Sequence, residues 1–377
     1  MSSLLITTSL PEVCELVTDG THDSPKIQSA GVPFIKGKHI SSGKIDFENC
    51  DYIKEDDHQK CIKRVKPQFN DVLFSNIGSV GDAARVITET EFSIKNVALF
   101  RPNPTKIDPL YFYYLVISPY FRGHFLNVRS GSAQPFISLE SFRSLKFKCL
   151  RDKKAQQNAG ATLSAYDDLI ENNRRRIHLL EQAARMLYKE WFVHLRFPGH
   201  EHTQIIDGVP EGWEKKPLGT IAPLKYGKAL KNDDRVPGPF PVYGSSGIVG
   251  THTKALVPGP TIIVGRKGNV GSVYWSPDDC HPIDTVYYID SEQCSLFLFY
   301  ALQQMTFIST DVAVPGLNRD FAHSRSVLVA DQKILRLFED TVSPLHKQME
   351  LMKRQNASLA KARDLLLPKL MNGEVAV

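Results

Sequence analysis

The residues best placed to touch another molecule stand around two glycine turns. In KGNVG, Arg266 and Lys267 precede Gly268, and Asn269 lies between Gly268 and Gly271. Arginine and lysine suit the acceptor edge of guanine or a phosphate, and asparagine suits adenine. The other turn, in SNIGSVG, carries Asn76 and Ser79 around Gly78 and Gly81. Neither is a nucleotide loop. A P-loop needs GxxxxGK[ST], and a dinucleotide fingerprint needs GxGxxG between strand and helix, whereas each of these turns joins two strand-like runs. A tight turn in which glycine supplies positive φ accounts for them. Such a turn also lets backbone come close to a ligand. A second pair of polar segments is GSAQPFISLESF (131–142) and VAVPGLNRDF (312–321), in which Pro135 matches Pro315 and Ser138 matches Asn318. Arg129, Gln134 and Ser138 in one, and Asn318 and Arg319 in the other, are residue types that read bases or line a solvated loop. Lys36 and Lys38 add basic candidates to the first half of the chain, and Lys225 and Lys228 to the second.

Other chemistry is poorly supplied. His200 and His202 stand two apart with no third ligand nearby, which reads as exposed loop rather than metal site. Asp278 and Asp279 are adjacent in a turn-like stretch and do not form a facing carboxylate pair. The six cysteines (Cys14, Cys50, Cys61, Cys149, Cys280, Cys294) are scattered without a CxxC pair, so neither zinc nor a disulfide framework is expected, and the compartment reads as reducing cytoplasm. There is no GxSxG elbow, no HExxH pair and no adenine-methylase tetrapeptide of the [DNS]PP[YFW] type. No catalytic residue is nominated. The N-terminus lacks a basic region followed by a long apolar one, so no signal peptide is expected, and no apolar run approaches the length of a membrane span. Hydrophobic content of 42%, charge of 23% and a net charge of +5 describe globular material that permits nucleic-acid binding without requiring it.

The elements that must position these loops come twice. DVLFSNIGSVGDAARV around Gly78 is echoed 190 positions later by PTIIVGRKGNVGSVYW around Gly268, with Val80 matching Val270. SIKNVALF (93–100) is then echoed by PIDTVYYI (282–289). Strand-like runs at 72–74, 97–100 and 261–264 are bounded by turn residues, and LYFYYLVISPYF (110–121) reads as a buried helix with Pro109 near its start and Pro119 near its end.

Each half ends in a long helical pattern. Leu163, Tyr166, Ile170, Asn173, Ile177, Leu180, Ala184, Leu187 and Trp191 form a seam at steps of three and four, and the opposite face is charged, with the arginines of NNRRR (172–176). Val342, Leu345, Met349, Met352, Asn356, Leu359, Leu366 and Leu370 form a second seam, broken by Arg363. If each domain docks alike on its own helix, the helices can pair antiparallel, giving approximate two-fold symmetry within one chain. Asn173 and Asn356 then either set register or are tolerated interruptions. Matching Ile177 to Met349 puts about 18 extra residues between the first glycine turn and its helix. The division expected is a first domain at 1–155, a helix at 156–198, a linker at 199–216, a second domain at 217–332 and a helix at 333–377. The class is α+β: two similar strand-rich domains separated by two long antiparallel coiled-coil helices.

Several phrases resemble a known family. LYKEWFVHLRFPGHE (187–201) and VPEGWEKKPLG (209–219) are similar to the segment that ends the first helix of specificity (S) subunits of Type I restriction–modification enzymes. TDGTHDSP, VYGSSGIVG, GPTIIVGRKGNVGSV and the C-terminal PKLMNGE are similar too, so the resemblance runs through the whole chain. It implies two target-recognition domains, each reading half of a split double-stranded DNA sequence. It implies helices that dock two modification (methyltransferase) subunits, which a restriction subunit can join. It implies that S-adenosylmethionine, and Mg2+ and ATP for restriction, act on those partners, with no cofactor bound by this chain. Arg363 in the seam, and the lack of a KEWF phrase in the second helix, are departures that put equal docking surfaces in question. The rival readings are a stand-alone DNA methyltransferase or nuclease, against which the missing motifs count, and a helical scaffold with no DNA role. At about 1.5 Å per residue, a 32-residue helix at 161–192 is about 48 Å long, which caps the half-site separation near about 14 base pairs.

Overall fold

A computed structural model describes residues 4–41, 43–77, 80–126, 136–307 and 316–375. The chain divides into two compact units, residues 1–173 with 354–377, and residues 174–353. Each unit takes one part of both long helices.

The first unit holds strands β1 (Leu5–Ser9), β2 (Cys14–Asp19), β3 (Val32–Lys36), β4 (Asp51–Ile53), β5 (Val72–Phe74), β6 (Ala83–Arg85), β7 (Ser93–Lys95) and β8 (Ala98–Pro102). Helices α1 (Pro109–Ile117) and α2 (Leu139–Ser144) and strand β9 (Lys146–Leu150) follow, before the long helix α3 (Lys153–Tyr188). Its main sheet is antiparallel, in the order β2-β8-β5-β6. A smaller sheet, β4-β3-β7, has β3 parallel to β7, and β1 pairs with β9. β5 is apolar throughout because both its faces are covered. Val72 and Phe74 join the core beneath α1, while Leu73 joins a second core with Ile94 and Leu99.

The second unit holds β10 (Glu214–Pro217), β11 (Lys225–Tyr226), β12 (Phe240–Gly244), β13 (Gly247–His252), β14 (Thr261–Gly265), β15 (Val273–Ser276), β16 (His281–Pro282) and β17 (Val286–Ile289). Helices α4 (Leu296–Gln304) and α5 (Arg319–Ser324) and strand β18 (Ser326–Val329) lead into the long helix α6 (Gln332–Met371). The order β11-β17-β14-β15 repeats the first sheet, β13-β12-β16 repeats the second with its parallel pair, and β10 pairs with β18. The sequence repeat is therefore a repeat of topology. The first copy is longer, with a hairpin and the helix Glu55–Ile62 between β3 and β5.

Three local readings are corrected. The helix expected over 110–121 stops at Ile117. Asp108 caps it by accepting from the Tyr111 N–H at 2.9 Å, and Ser118 goes extended before Pro119, where a second helix, Pro119–Leu126, begins. KEWFV (189–193) closes α3 as a π-helical turn, burying Trp191 and Phe192 against Phe338. The stretch read as a linker carries structure of its own: Ile205–Ile206 pairs with Val209–Pro210, and Trp213 is buried against Phe197 with ring centroids 4.7 Å apart.

The seams are real, but their relation differs from the one read in sequence. Ile170, Met349 and Met352 are buried, while Ile177, Leu180, Leu187, Leu359 and Leu366 are half-buried. α3 starts at Lys153 and α6 at Gln332, which makes Ile177 equivalent to Asn356 rather than Met349. The sequence match slipped by one heptad, because every heptad of a seam looks alike. The excess between glycine turn and helix is therefore about 11 residues rather than 18. In the first unit the helices run antiparallel. The Asn173 amide donates to Asn356 Oδ1 at 3.0 Å, and Arg363 pairs with Asp167. Arg363 thus belongs to the seam as half of an ion pair, and the Tyr114 hydroxyl donates to the other Asp167 oxygen at 2.6 Å. In the second unit Ala184, Tyr188, Ile334, Phe338 and Val342 share one core.

Candidate nucleic-acid interface

Each glycine turn closes in the same way. In the first copy the Ser75 N–H donates to the Asp82 carbonyl at 2.7 Å, and the Gly81 N–H to the Ser75 carbonyl at 3.0 Å. In the second the Gly265 N–H donates to Ser272 at 2.7 Å, and the Gly271 N–H to Gly265 at 2.9 Å. Gly81, Gly268 and Gly271 all have positive φ, and a Cβ on Gly271 would meet Phe307 at 2.8 Å. The turn itself therefore explains these glycines. Gly78, Ser79, Arg129 and Gln134 lie outside the described residues.

In each copy the glycine turn meets the polar segment that follows it in the chain. Ile77 bridges Phe136, and Lys267 bridges Gly316. The Ile137 N–H donates to the Asn76 carbonyl at 3.0 Å, and the Leu317 N–H to the Arg266 carbonyl at 2.8 Å. Directly after each junction a short helix is capped by the matched polar residue. Ser138 accepts from the Ser141 N–H, and Asn318 from the Phe321 N–H at 3.0 Å. Capping is a structural duty that the loop reading of Ser138 and Asn318 had not assigned.

The side chains divide into those already committed and those still open. Asn76 is buried and donates to the Ile137 carbonyl at 3.2 Å, so it holds the junction and is not open to a base. Lys36 pairs with Asp51 at 2.7 Å, and Lys38 stands 3.5 Å from the same carboxylate. The hydrogen bond from Lys36 is the main reason the Asp51 carboxyl is held below its usual range. Lys225 pairs with Asp290. Lys228, Lys267 and Asn269 are exposed.

Sequence reasoning missed Tyr226. It is 47% exposed, and two guanidinium groups lie over its ring, Arg266 at 4.9 Å and Arg319 at 5.0 Å from the centroid. Arg266 also donates to the Asp284 carbonyl at 3.1 Å. Among the described residues neither arginine has a carboxylate partner. The ring restrains both, an interaction of about 0.5–1 kcal/mol each at exposed sites. The only sequence signal was the aromatic beside Lys225; nothing in the spacing ties residue 226 to residues 266 and 319.

The first copy has a different chemistry at the same place. Gly20 and Gly227 are equivalent. Their N–H groups donate to Val97 and Val286, and a Cβ on either would strike a carbonyl, Ile94 or Ile283. The residue before each is then Asp19 in one copy and Tyr226 in the other. Asp19 is buried and paired with Arg64. Asn76 stands where Arg266 does, and Leu139 opens α2 as Arg319 opens α5.

Nothing among the described residues forms a group of three His, Cys, Asp or Glu able to hold a metal. Asp279 accepts from the Gly259 N–H at 2.9 Å, as a turn residue does. Burial pushes the Cys149 and Cys280 thiols up to about 11, away from nucleophilic use at neutral pH. No helix among the described residues is long and apolar enough to cross a membrane.

Known proteins share this architecture. The chain is 24% identical to the Type I restriction enzyme MjaIX specificity subunit of Methanocaldococcus jannaschii over 413 aligned residues, covering 96% of this chain and 91% of that one. It is 24% identical to the Type I restriction enzyme HindI specificity subunit of Haemophilus influenzae, covering 84% of this chain and 88% of that one. Its fold matches the crystal structure of a Type I restriction–modification S subunit from M. genitalium with a TM-score of 0.61 at 18% identity, covering 98% of this chain and 96% of that one. With residues 7–182 and 210–321 both matching the Type I restriction modification DNA specificity domain, the chain belongs to that family.

Proposed function

We propose that this chain is the DNA-recognition subunit of a Type I restriction–modification complex, each repeat reading one half of a bipartite target. The observation that carries this reading is the duplicated junction. One backbone arrangement of glycine turn, bridging loop and capped helix occurs in both units. Around it stand Asp19, Asn76 and Leu139 in one copy, and Tyr226, Arg266 and Arg319 in the other. A scaffold kept constant while its side chains change is what reading two different sequences with one fold requires. The recognition domains we take are 1–155 and 217–332. The helices 156–198 and 333–377, with the linker 199–216, form the frame.

The helices offer a surface to protein partners. Leu337, Leu351 and Leu365 are exposed on α6 at intervals of two heptads, and Leu179 and Met186 are exposed on α3 one heptad apart. These apolar side chains at heptad spacing favour docking of two modification subunits. Methyl transfer with S-adenosylmethionine, and any Mg2+- and ATP-dependent restriction, then belong to the partners, and this chain is not itself an enzyme. The test is co-expression with the modification subunit followed by mapping of methylated adenines. A two-part motif with a non-specific gap supports the reading. Methylation that needs the partner but shows no sequence preference refutes it.

A further inference from the structure

We propose that Arg266 and Arg319 read guanine in one half-site, and that Tyr226 is the positioning residue that holds both guanidinium groups for the task. This rests on the reading of the chain as a DNA-recognition subunit.

Three features point the same way. First, both arginines lie within cation–π range of one half-exposed ring, at 4.9 and 5.0 Å. Elsewhere in the chain Arg64, Arg101 and Arg363 are held by Asp19, Asp71 and Asp167. A carboxylate consumes the donors of a guanidinium, whereas an aromatic face leaves its in-plane N–H groups for another acceptor. Second, the backbone beneath is fixed. The Arg266 carbonyl accepts from Leu317, and Arg319 is the first residue of a helix capped by Asn318. The Tyr287 hydroxyl adds a bond to the Leu317 carbonyl at 2.8 Å. A planar fork on a rigid mount matches the two acceptors that guanine shows in the major groove, O6 and N7. Third, the exposed lysines Lys228 and Lys267 supply mobile charge nearby, which is sufficient for phosphates. The first copy has Asp19, Asn76 and Leu139 at these positions, so the requirement applies to one half of the target only.

The test uses the full chain in complex with its modification subunit, on duplexes carrying its methylation motif. Each guanine is replaced in turn by 7-deazaguanine, which removes N7. At one or two positions in a single half-site the wild-type complex should bind the deaza duplex more weakly. Exchange of that pair for A·T should cost about 5- to 150-fold. Arg266→Ala or Arg319→Ala should bind the deaza and natural duplexes alike. Tyr226→Phe, which keeps the ring, should retain the preference. Tyr226→Leu should lower it while leaving affinity for unrelated DNA, and its salt dependence, unchanged. The proposal is overturned if neither half-site contains such a guanine. It is also overturned if the arginine variants weaken all sequences equally with a shallower salt dependence, which marks phosphate contacts. A complex with no two-part target at all overturns the functional reading along with it. A two-part target indifferent to deaza substitution overturns this proposal alone.

Discussion

His346→Phe should make the second unit less sensitive to acid. His346 lies on α6 beside a cavity of about 370 Å³, with the rings of Trp275, Phe299 and Tyr300 at 6.0, 5.9 and 5.7 Å. Burial, with added repulsion from Lys353, lowers its pKa from 6.5 to about 4. The unfolded chain takes up this proton as pH falls through 6.5, and the folded chain does so only near 4. The contribution to stability is therefore complete above about pH 6.5 and is lost progressively toward pH 4. Between pH 7.5 and pH 5.0 the loss works out at about 2 kcal/mol. Glu181, Arg185, Glu350 and Lys353 also line the cavity, and all four are kept in the variant, so their share of the pH dependence is common to both proteins. The Tyr300 hydroxyl, 2.8 Å from His346 Nε2, loses a partner in the variant, but that cost is the same at both pH values and cancels. The assay is urea unfolding of the full chain at pH 7.5 and 5.0, followed by tryptophan fluorescence. Wild type should lose about 2 kcal/mol more than His346→Phe over the interval. Equal losses would refute the assignment of a neutral, buried imidazole.

Two further substitutions test the helix seam of the first unit. Asn356→Leu should destabilise by about 1–2 kcal/mol in denaturant unfolding, because it strands the Asn173 amide; adding Asn173→Leu should recover much of the loss, and no recovery would argue against a mutual hydrogen bond. Arg363→Met should cost about 1–2 kcal/mol, less than a fully buried pair because both partners are part-exposed. A cycle with Asp167→Ala should then show coupling above about 0.5 kcal/mol, and additivity would mean that the pair does not stabilise the seam.

The repeat was legible because strand runs and glycine turns are local. Residues 72–74 and 262–264 are apolar on both faces, and positive φ demands glycine at Gly81, Gly268 and Gly271. What escaped needed distance information. The one-heptad slip between the helices shows only when their ends are fixed. Equivalent seam positions then prove to hold Asp167 in one copy and His346 in the other, each hydrogen-bonded to a tyrosine. Asn76 and Arg266 occupy equivalent turn positions, yet one is sealed into the fold and the other stands half-open over Tyr226. Sequence spacing gives residue types at a turn; burial decides which of them can meet DNA. Arg363, which reads in sequence as a flaw in the seam, becomes an ordinary member once Asp167 stands across from it.

The claim that each repeat reads its own half of the target is tested most directly by exchange. The second family segment, residues 210–321, is replaced by the matching segment of the Haemophilus influenzae relative. The hybrid is co-expressed with the modification subunit, and methylated adenines are mapped. The account predicts a two-part motif whose one half is that of the parent chain and whose other half is new. A motif changed in both halves, or unchanged in an active hybrid, would contradict it.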